Sequence, residues 1–233
     1  MKHQTIFSCC IALLISGPAF GQQAFAVRDY FPNQLGDSLQ LANALGEKLS
    51  PYVLAWPRRE AFKGDTLLVR RENTGDSRLE EYLPGKGLAV YKMTLKEGQE
   101  LLLERPVMLI PDSVRQWQTY KDEVPYTLIE KGIKKGTGTQ RFEVNVEGAN
   151  SAITPLFNFS ECLVIHTTSE RKDGTTGTVR GYKLKEWYAK GIGLVKVVGE
   201  YYWLNPQGKP VKPPGKIAAM LERALVNGEE IGK

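Results

Sequence analysis

Histidine and cysteine are nearly missing from this 233-residue chain, which has two of the first and three of the second. His3, Cys9 and Cys10 all sit within the first ten residues, leaving Cys162 and His166 for everything that follows. One histidine excludes a multi-histidine zinc site, and a mixed site would have a single residue of each type. Any Ser-His-Asp or Cys-His machinery would have to use His166. One thiol excludes an intramolecular disulfide, so the fold must be held by its core alone. Long hydrophobic runs are also lacking. A membrane-spanning helix needs about 20 apolar residues, and the best candidate, 6–20, is shorter and interrupted by Ser8, Ser16, Gly17 and Pro18.

That apolar stretch, preceded by Lys2, reads as a secretory signal. Small residues after it offer two cleavage frames, one after Gly21 (Ala19-Phe20-Gly21) and one after Ala26 (Ala24-Phe25-Ala26). The segment 1–26 is therefore expected to be removed, and the mature chain to work in the periplasm or as a secreted protein. A lipid-attachment cysteine follows the apolar run, whereas Cys9 and Cys10 stand at its start, which argues against acylation.

With 42% apolar and 24% charged residues, the composition is that of an ordinary globular protein. Charge is uneven: residues 27–130 sum to −2 and residues 131–233 to +6. The basic half could meet anionic lipid or polysaccharide outside the cell. Its basic residues alternate with apolar ones and form no block, the pattern of a solvated surface. Nucleic acid is not an expected partner for an exported protein.

Strand signals dominate. Segments 66–71 (TLLVRR), 87–94 (GLAVYKMT), 100–110, 141–146 (RFEVNV), 162–169 and 201–204 are rich in β-branched and aromatic residues. Several alternate with period two, the mark of a sheet with one buried face. The run 99–111 (QELLLERPVMLIP) is apolar at both parities, as for a sheet covered on both sides. Lys172-Asp173-Gly174-Thr175 reads as a hairpin turn joining two antiparallel strands. The segment 46–63 is ambiguous because Pro51 and Pro57 break it. At 216–226, Ile217, Met220, Leu221, Ala224 and Leu225 recur at helical spacing before Asn227-Gly228, predicting a C-terminal helix after an extended connector at 209–215.

Two segments repeat one pattern. Tyr82, Gly85, Gly87 and Leu88 stand in the same relation as Tyr188, Gly191, Gly193 and Leu194, giving Tyr-x-x-Gly-x-Gly-Leu twice. Strand-like sequence lies on both sides of each copy, so the pattern reads as a glycine-permitted chain reversal. A phosphate loop would open a helix instead. A fainter match relates Phe31-Pro32 and 35–39 to Ile110-Pro111, Val114 and Trp117. The expected organisation is a duplicated β unit, 27–107 and 108–205, with 206–233 as connector and helix, packed as one domain.

The Phe31-Pro32…Gly36-Asp37-Ser38 opening and the block WYAKGIGLVK at 187–196 resemble a set of uncharacterised bacterial exported proteins. Those carry a YFP…G(N/D)xW opening and a WYAxGVGLVK ending; Leu39 stands where they have an aromatic. The resemblance implies an antiparallel, repeat-built β protein of the bacterial envelope. It brings no activity and no catalytic residues.

No residue set points to catalysis. On a strand, Cys162 and His166 would face the same way about 13 Å apart, beyond hydrogen-bond reach. The adjacent carboxylates Glu80-Glu81, Asp122-Glu123 and Glu229-Glu230 would point to opposite faces. The segment 132–138 (GIKKGTG) lacks the Gly-Lys-Ser/Thr ending of a phosphate loop and reads as a basic turn. Trp187, Tyr188, Tyr202 and Trp203 are the candidate ligand-binding aromatics, with Lys183, Lys185, Lys190 and Lys196 interleaved. No cofactor and no metal is implied. The expected fold is mainly β, an antiparallel, strongly curved sheet or open barrel with internal duplication and a C-terminal helix. Its concave face would bind an apolar small molecule, lipid or envelope component, with peripheral membrane contact. The alternatives are a periplasmic enzyme built on His166 or a carboxylate pair, and an adaptor holding anionic envelope material through its basic half.

Overall fold

The computed structural model describes residues 23–31, 34–44 and 51–232. The segment 1–22, with Cys9, Cys10 and the Gly21 cleavage frame, lies outside the described residues, as do Pro32 and residues 45–50. Among the described residues the chain forms one 3-10 turn, Val27–Asp29, and fifteen strands. The strands are β1 (Ala24–Ala26), β2 (Ser38–Asn43), β3 (Tyr52–Phe62), β4 (Asp65–Glu72), β5 (Ser77–Leu83), β6 (Gly87–Thr94) and β7 (Gln99–Pro111). They continue as β8 (Ser113–Arg115), β9 (Thr119–Glu130), β10 (Ile133–Ile153), β11 (Asn158–Asp173), β12 (Val179–Ala189), β13 (Gly193–Leu204), β14 (Gly215–Val226) and β15 (Glu229–Ile231).

From β2 to β14, omitting the short β8, each strand pairs antiparallel with the next, and β14 also pairs back to β2. Twelve strands thus close into an up-and-down barrel, with β15 folded back as a hairpin on β14. Closure removes the exposed edges that an open curved sheet would carry. A barrel of about eight strands is just wide enough for side chains to fill, and diameter grows with strand number. Twelve strands leave more lumen than aliphatic side chains alone fill.

The C-terminal helix predicted at 216–226 is strand β14. Ile217, Ala219 and Leu221 face inward at odd positions, and a register shift between Leu221 and Arg223 moves the inward set to Ala224 and Val226. A strand whose parity flips once presents apolar residues three and four apart, which imitates a helical period. The same device explains 99–111. Leu101 and Leu103 line the core, and after register shifts against β6 so do Val107, Leu109 and Ile110. The inward face is the buried one along this strand, whereas residues 67–69 and 162–165 are buried on both faces. Pro57 sits in the register shift between Ala55 and Arg58, where β3 loses no ladder bond to it. In the β11–β12 loop Asp173 caps the turn by accepting from the Thr175 and Thr176 amides, and the positive φ falls on Gly177 rather than on Gly174.

Both copies of the Tyr-x-x-Gly-x-Gly-Leu pattern are hairpin turns with one geometry. Tyr82 pairs with Leu88 and Tyr188 with Leu194. Gly85 and Gly191 have φ of +71° and +74°, and Gly87 and Gly193 of +122° and +103°. Each hairpin joins the fourth and fifth of six consecutive barrel strands, β2 to β7 in one half and β9 to β14 in the other. A short strand precedes each half, and these two, β1 and β8, pair with each other through Phe25 and Val114.

The N-terminal segment closes one barrel end. Val27 donates its amide to the Asp112 carbonyl, Gly191 donates to the Asp29 carbonyl, and Gly36 donates to the Trp56 carbonyl. Phe25 and Val27 are buried in the core. Asp37, 3% exposed, accepts from the amides of Gln34 and Asn227.

Candidate functional site

Above this plug the lumen holds a cavity of about 280 Å3. Val144, Ile165, Leu184, Leu194 and Val197 form one wall, from which Glu186 and Tyr188 also project, and Tyr52, Arg70, Glu72 and Arg78 form the other. Phe31 forms the floor, its ring stacked on Tyr188 at 4.1 Å and 23°. Exposed Thr74, Glu200 and Tyr201 line the cavity too, so it opens to solvent at the end opposite the plug.

The polar wall follows from strand alternation. Leu68, Arg70 and Glu72 share one parity of β4, and Arg78 and Glu80 share one parity of β5. In that register Arg70 stands directly opposite Arg78. Like charges opposed across strands repel, and a carboxylate partner on each relieves this. Arg70 donates to Glu72 at 3.0 Å, and Arg78 donates to Glu80 at 2.5 Å. Glu80, 1% exposed, also accepts from the Trp56 indole at 2.6 Å. Burial opposes the charge on Arg70, yet Glu72 and its other neighbours hold it more firmly protonated than usual.

Across the lumen, Glu186 accepts from the Thr167 hydroxyl at 2.5 Å and the Tyr188 hydroxyl at 3.0 Å. Burial pushes its carboxyl above the usual carboxylate range, against the pull of these hydroxyls and the arginines. Burial likewise keeps the phenols of Tyr52, Tyr182 and Tyr188 protonated. A raised carboxyl binds its proton more tightly folded than unfolded. Its penalty is therefore absent at pH below the ordinary glutamate value and grows as pH rises from there through the raised value. Glu186→Gln is expected to melt higher than the wild type at neutral pH, with the gap closing as pH falls towards about 4. Thermal melts of the two proteins across pH would show a constant gap if burial of this charge were irrelevant.

The four candidate aromatics do not come together, because neighbours on a strand point to opposite faces. Tyr188 faces the lumen. Trp187 faces outward, 8% exposed, with Lys185 and Lys196 over its ring at 5.1 and 4.8 Å. Tyr202 faces outward and donates to Glu170 at 2.8 Å. Trp203 shares the parity of Tyr201 and lies under the Arg180 guanidinium at 4.4 Å. The repeated Tyr82, Gly85, Gly87 and Tyr188, Gly191, Gly193 build turns at the plugged end.

His166 and Cys162 also stay apart. His166 lies on the outer wall opposite Asn145, its Nε2 2.8 Å from Glu147, which Lys185 also contacts at 2.6 Å. Cys162 is fully buried, and burial pushes its thiol up to about 11, far from nucleophilic at neutral pH. Outward residues of β9 to β11 include Lys121, Glu143, Arg141 and Glu170, joined in a chain of ion pairs. A lipid-facing barrel wall would be apolar there. No helix among the described residues is long and apolar enough to cross a membrane.

The inward charges are hard to read from sequence because a strand's buried parity ordinarily carries apolar groups. The available signal was Arg70, Glu72 and Glu186 falling on the parity of Leu68 and Leu184.

No family model and no curated protein matches the chain. Two solved structures resemble it. A candidate lipoprotein from Parabacteroides distasonis is 14% identical with a TM-score of 0.41, over 86% of this chain and 97% of that one. A candidate exported protein with YmcC-like fold from Bacteroides fragilis is 15% identical with a TM-score of 0.33, over 84% and 98%. At such scores the description of the site rests on this chain's own residues.

Proposed function

We propose that the chain is an exported, non-enzymatic binding protein that takes a small amphipathic ligand into the open end of its barrel. The carrying observation is the lumen itself: closed below by the N-terminal plug, open above, with the arginines on one wall facing a wall that is apolar around Glu186 and the Tyr188 hydroxyl. About 280 Å3 lies at the lower edge of the ~300–1,000 Å3 usual for small-molecule sites. It suits one ring or a short chain and is too small for a diacyl lipid, which narrows the lipid expectation. Cleavage after Gly21 belongs to this reading, because cleavage after Ala26 would remove β1 and the buried Phe25 that help close the floor.

The reading is tested on protein purified from its native compartment. Native mass spectrometry is expected to find a non-covalently held small molecule that is released on denaturation. Leu184→Trp, which fills the cavity from its apolar wall, is expected to lose it while melting cooperatively. A wild-type protein that carries nothing and gains no thermal stability from a panel of small amphiphiles would sink the reading.

A further inference from the structure

The polar wall narrows the ligand's chemistry. Among the described residues, the Arg70 Nε, the Tyr82 hydroxyl and the Trp203 Nε1 are buried without a hydrogen-bond partner. Two of these three are N–H groups, which only donate. Arg70 is the one that lines the cavity. Leaving such a donor unmet in a low-dielectric site is costly, more so when it belongs to a charged group.

The carboxylates deep in the lumen are already engaged. Glu72 holds the Arg70 Nη2, Glu80 holds Arg78 and the Trp56 indole, and Glu186 accepts from two hydroxyls. Asp76 and Glu200 lie nearer the mouth, on the turn after β4 and towards the far end of β13. What remains unsatisfied at depth is donor capacity, beside two guanidinium groups in direct register. A cationic head group would meet Arg70 and Arg78 at once. An oxyanion would meet the guanidinium groups of Arg70 and Arg78, with the phenol of Tyr52 on the neighbouring strand beside them.

We infer that the lumen ligand is a small amphipathic carboxylate, its oxyanion on Arg70 and its apolar body against Val144, Ile165, Leu194 and Val197. The inference rests on the lumen reading above and adds the head-group chemistry to it.

Octanoate, octanol and octylamine share one tail and differ at the head, so calorimetric titration of the whole mature protein with each isolates the head group. Octanoate is expected to bind about tenfold or more tighter than octanol, the worth of one charge-assisted hydrogen bond, and octylamine weakest. Arg70→Lys keeps the charge and lacks Nε, and it is expected to bring octanoate close to octanol. Leu184→Trp is expected to abolish binding of all three, locating them in the lumen. If octanol or octylamine matches octanoate in the wild type, the carboxylate inference falls while the lumen reading stands. If none of the three binds, both fall. The wild-type ranking is decisive even where Arg70→Lys fails to fold.

Discussion

Glu80→Ala is expected to lower the melting temperature by roughly 6–20 °C. Glu80 is 1% exposed and satisfies two buried donors, the Arg78 Nε and the Trp56 Nε1. Removing one partner of a buried ion pair costs about 3–5 kcal/mol, because the other charge stays behind unpaired. For a chain of this length each kcal/mol shifts Tm by about 2–4 °C. Two further variants separate charge from packing. Glu80→Gln keeps an acceptor and should cost less than alanine. The double change Arg78→Met with Glu80→Leu removes the charge and its partner together and should recover much of the loss. Thermal denaturation followed by circular dichroism distinguishes the three, and a Glu80→Ala protein melting within about 2 °C of wild type would refute the argument. The polar wall would then be a solvated surface and not a buried network.

The second large effect is expected at one glycine of the repeated turn and is absent at its neighbour. A Cβ on Gly87 would lie 2.1 Å from the Ile110 carbonyl oxygen and 2.6 Å from the Pro111 carbonyl carbon, at a φ of +122°. These are backbone atoms of the strand paired beside it, and no side chain can swing away to make room. Gly87→Ala should therefore cost several kcal/mol, with strained φ alone worth about 1–3. The soluble yield should collapse or Tm fall by more than about 10 °C. Gly85, two residues earlier in the same turn, has a φ of +71° and open space around its Cβ position. Gly85→Ala should cost only about 1–2 kcal/mol, the left-handed penalty of an L-residue. Equal losses at the two positions would show that conformation alone governs the motif. The predicted inequality would show that close approach of the β7 backbone sets it.

Much of the wall was legible in the sequence, and the reason is local. Period-two alternation at 141–146 and the β-branched runs at 66–71 and 87–94 depend on neighbours a few residues away, and each is a strand. The doubled Tyr-x-x-Gly-x-Gly-Leu is legible because glycine alone accepts its positive φ without strain. The C-terminal segment misled for an equally physical cause: the bulge beside Leu221 changes parity in mid-strand, and no local pattern distinguishes that from a helix face. The concave apolar surface was anticipated, but the opposite wall of Arg70, Glu72 and Arg78 was not, nor was Glu186 set among the apolar residues. These charges look like ordinary strand residues until the barrel folds them inward.

The amino-acid sequence by itself determined the near absence of histidine and cysteine, the antiparallel β character and the twice-used turn. Each follows from composition or from contacts within a few residues. Closure of twelve strands, the N-terminal plug, the outward turn of Trp187 beside the inward turn of Tyr188, and the pairing of Arg70 with Arg78 were decided only by the tertiary structure. They depend on register and strand number, which join residues up to some 190 positions apart, as Asp37 and Asn227 are. Barrel diameter, a property of the closed ring alone, then made the room that the buried charges line.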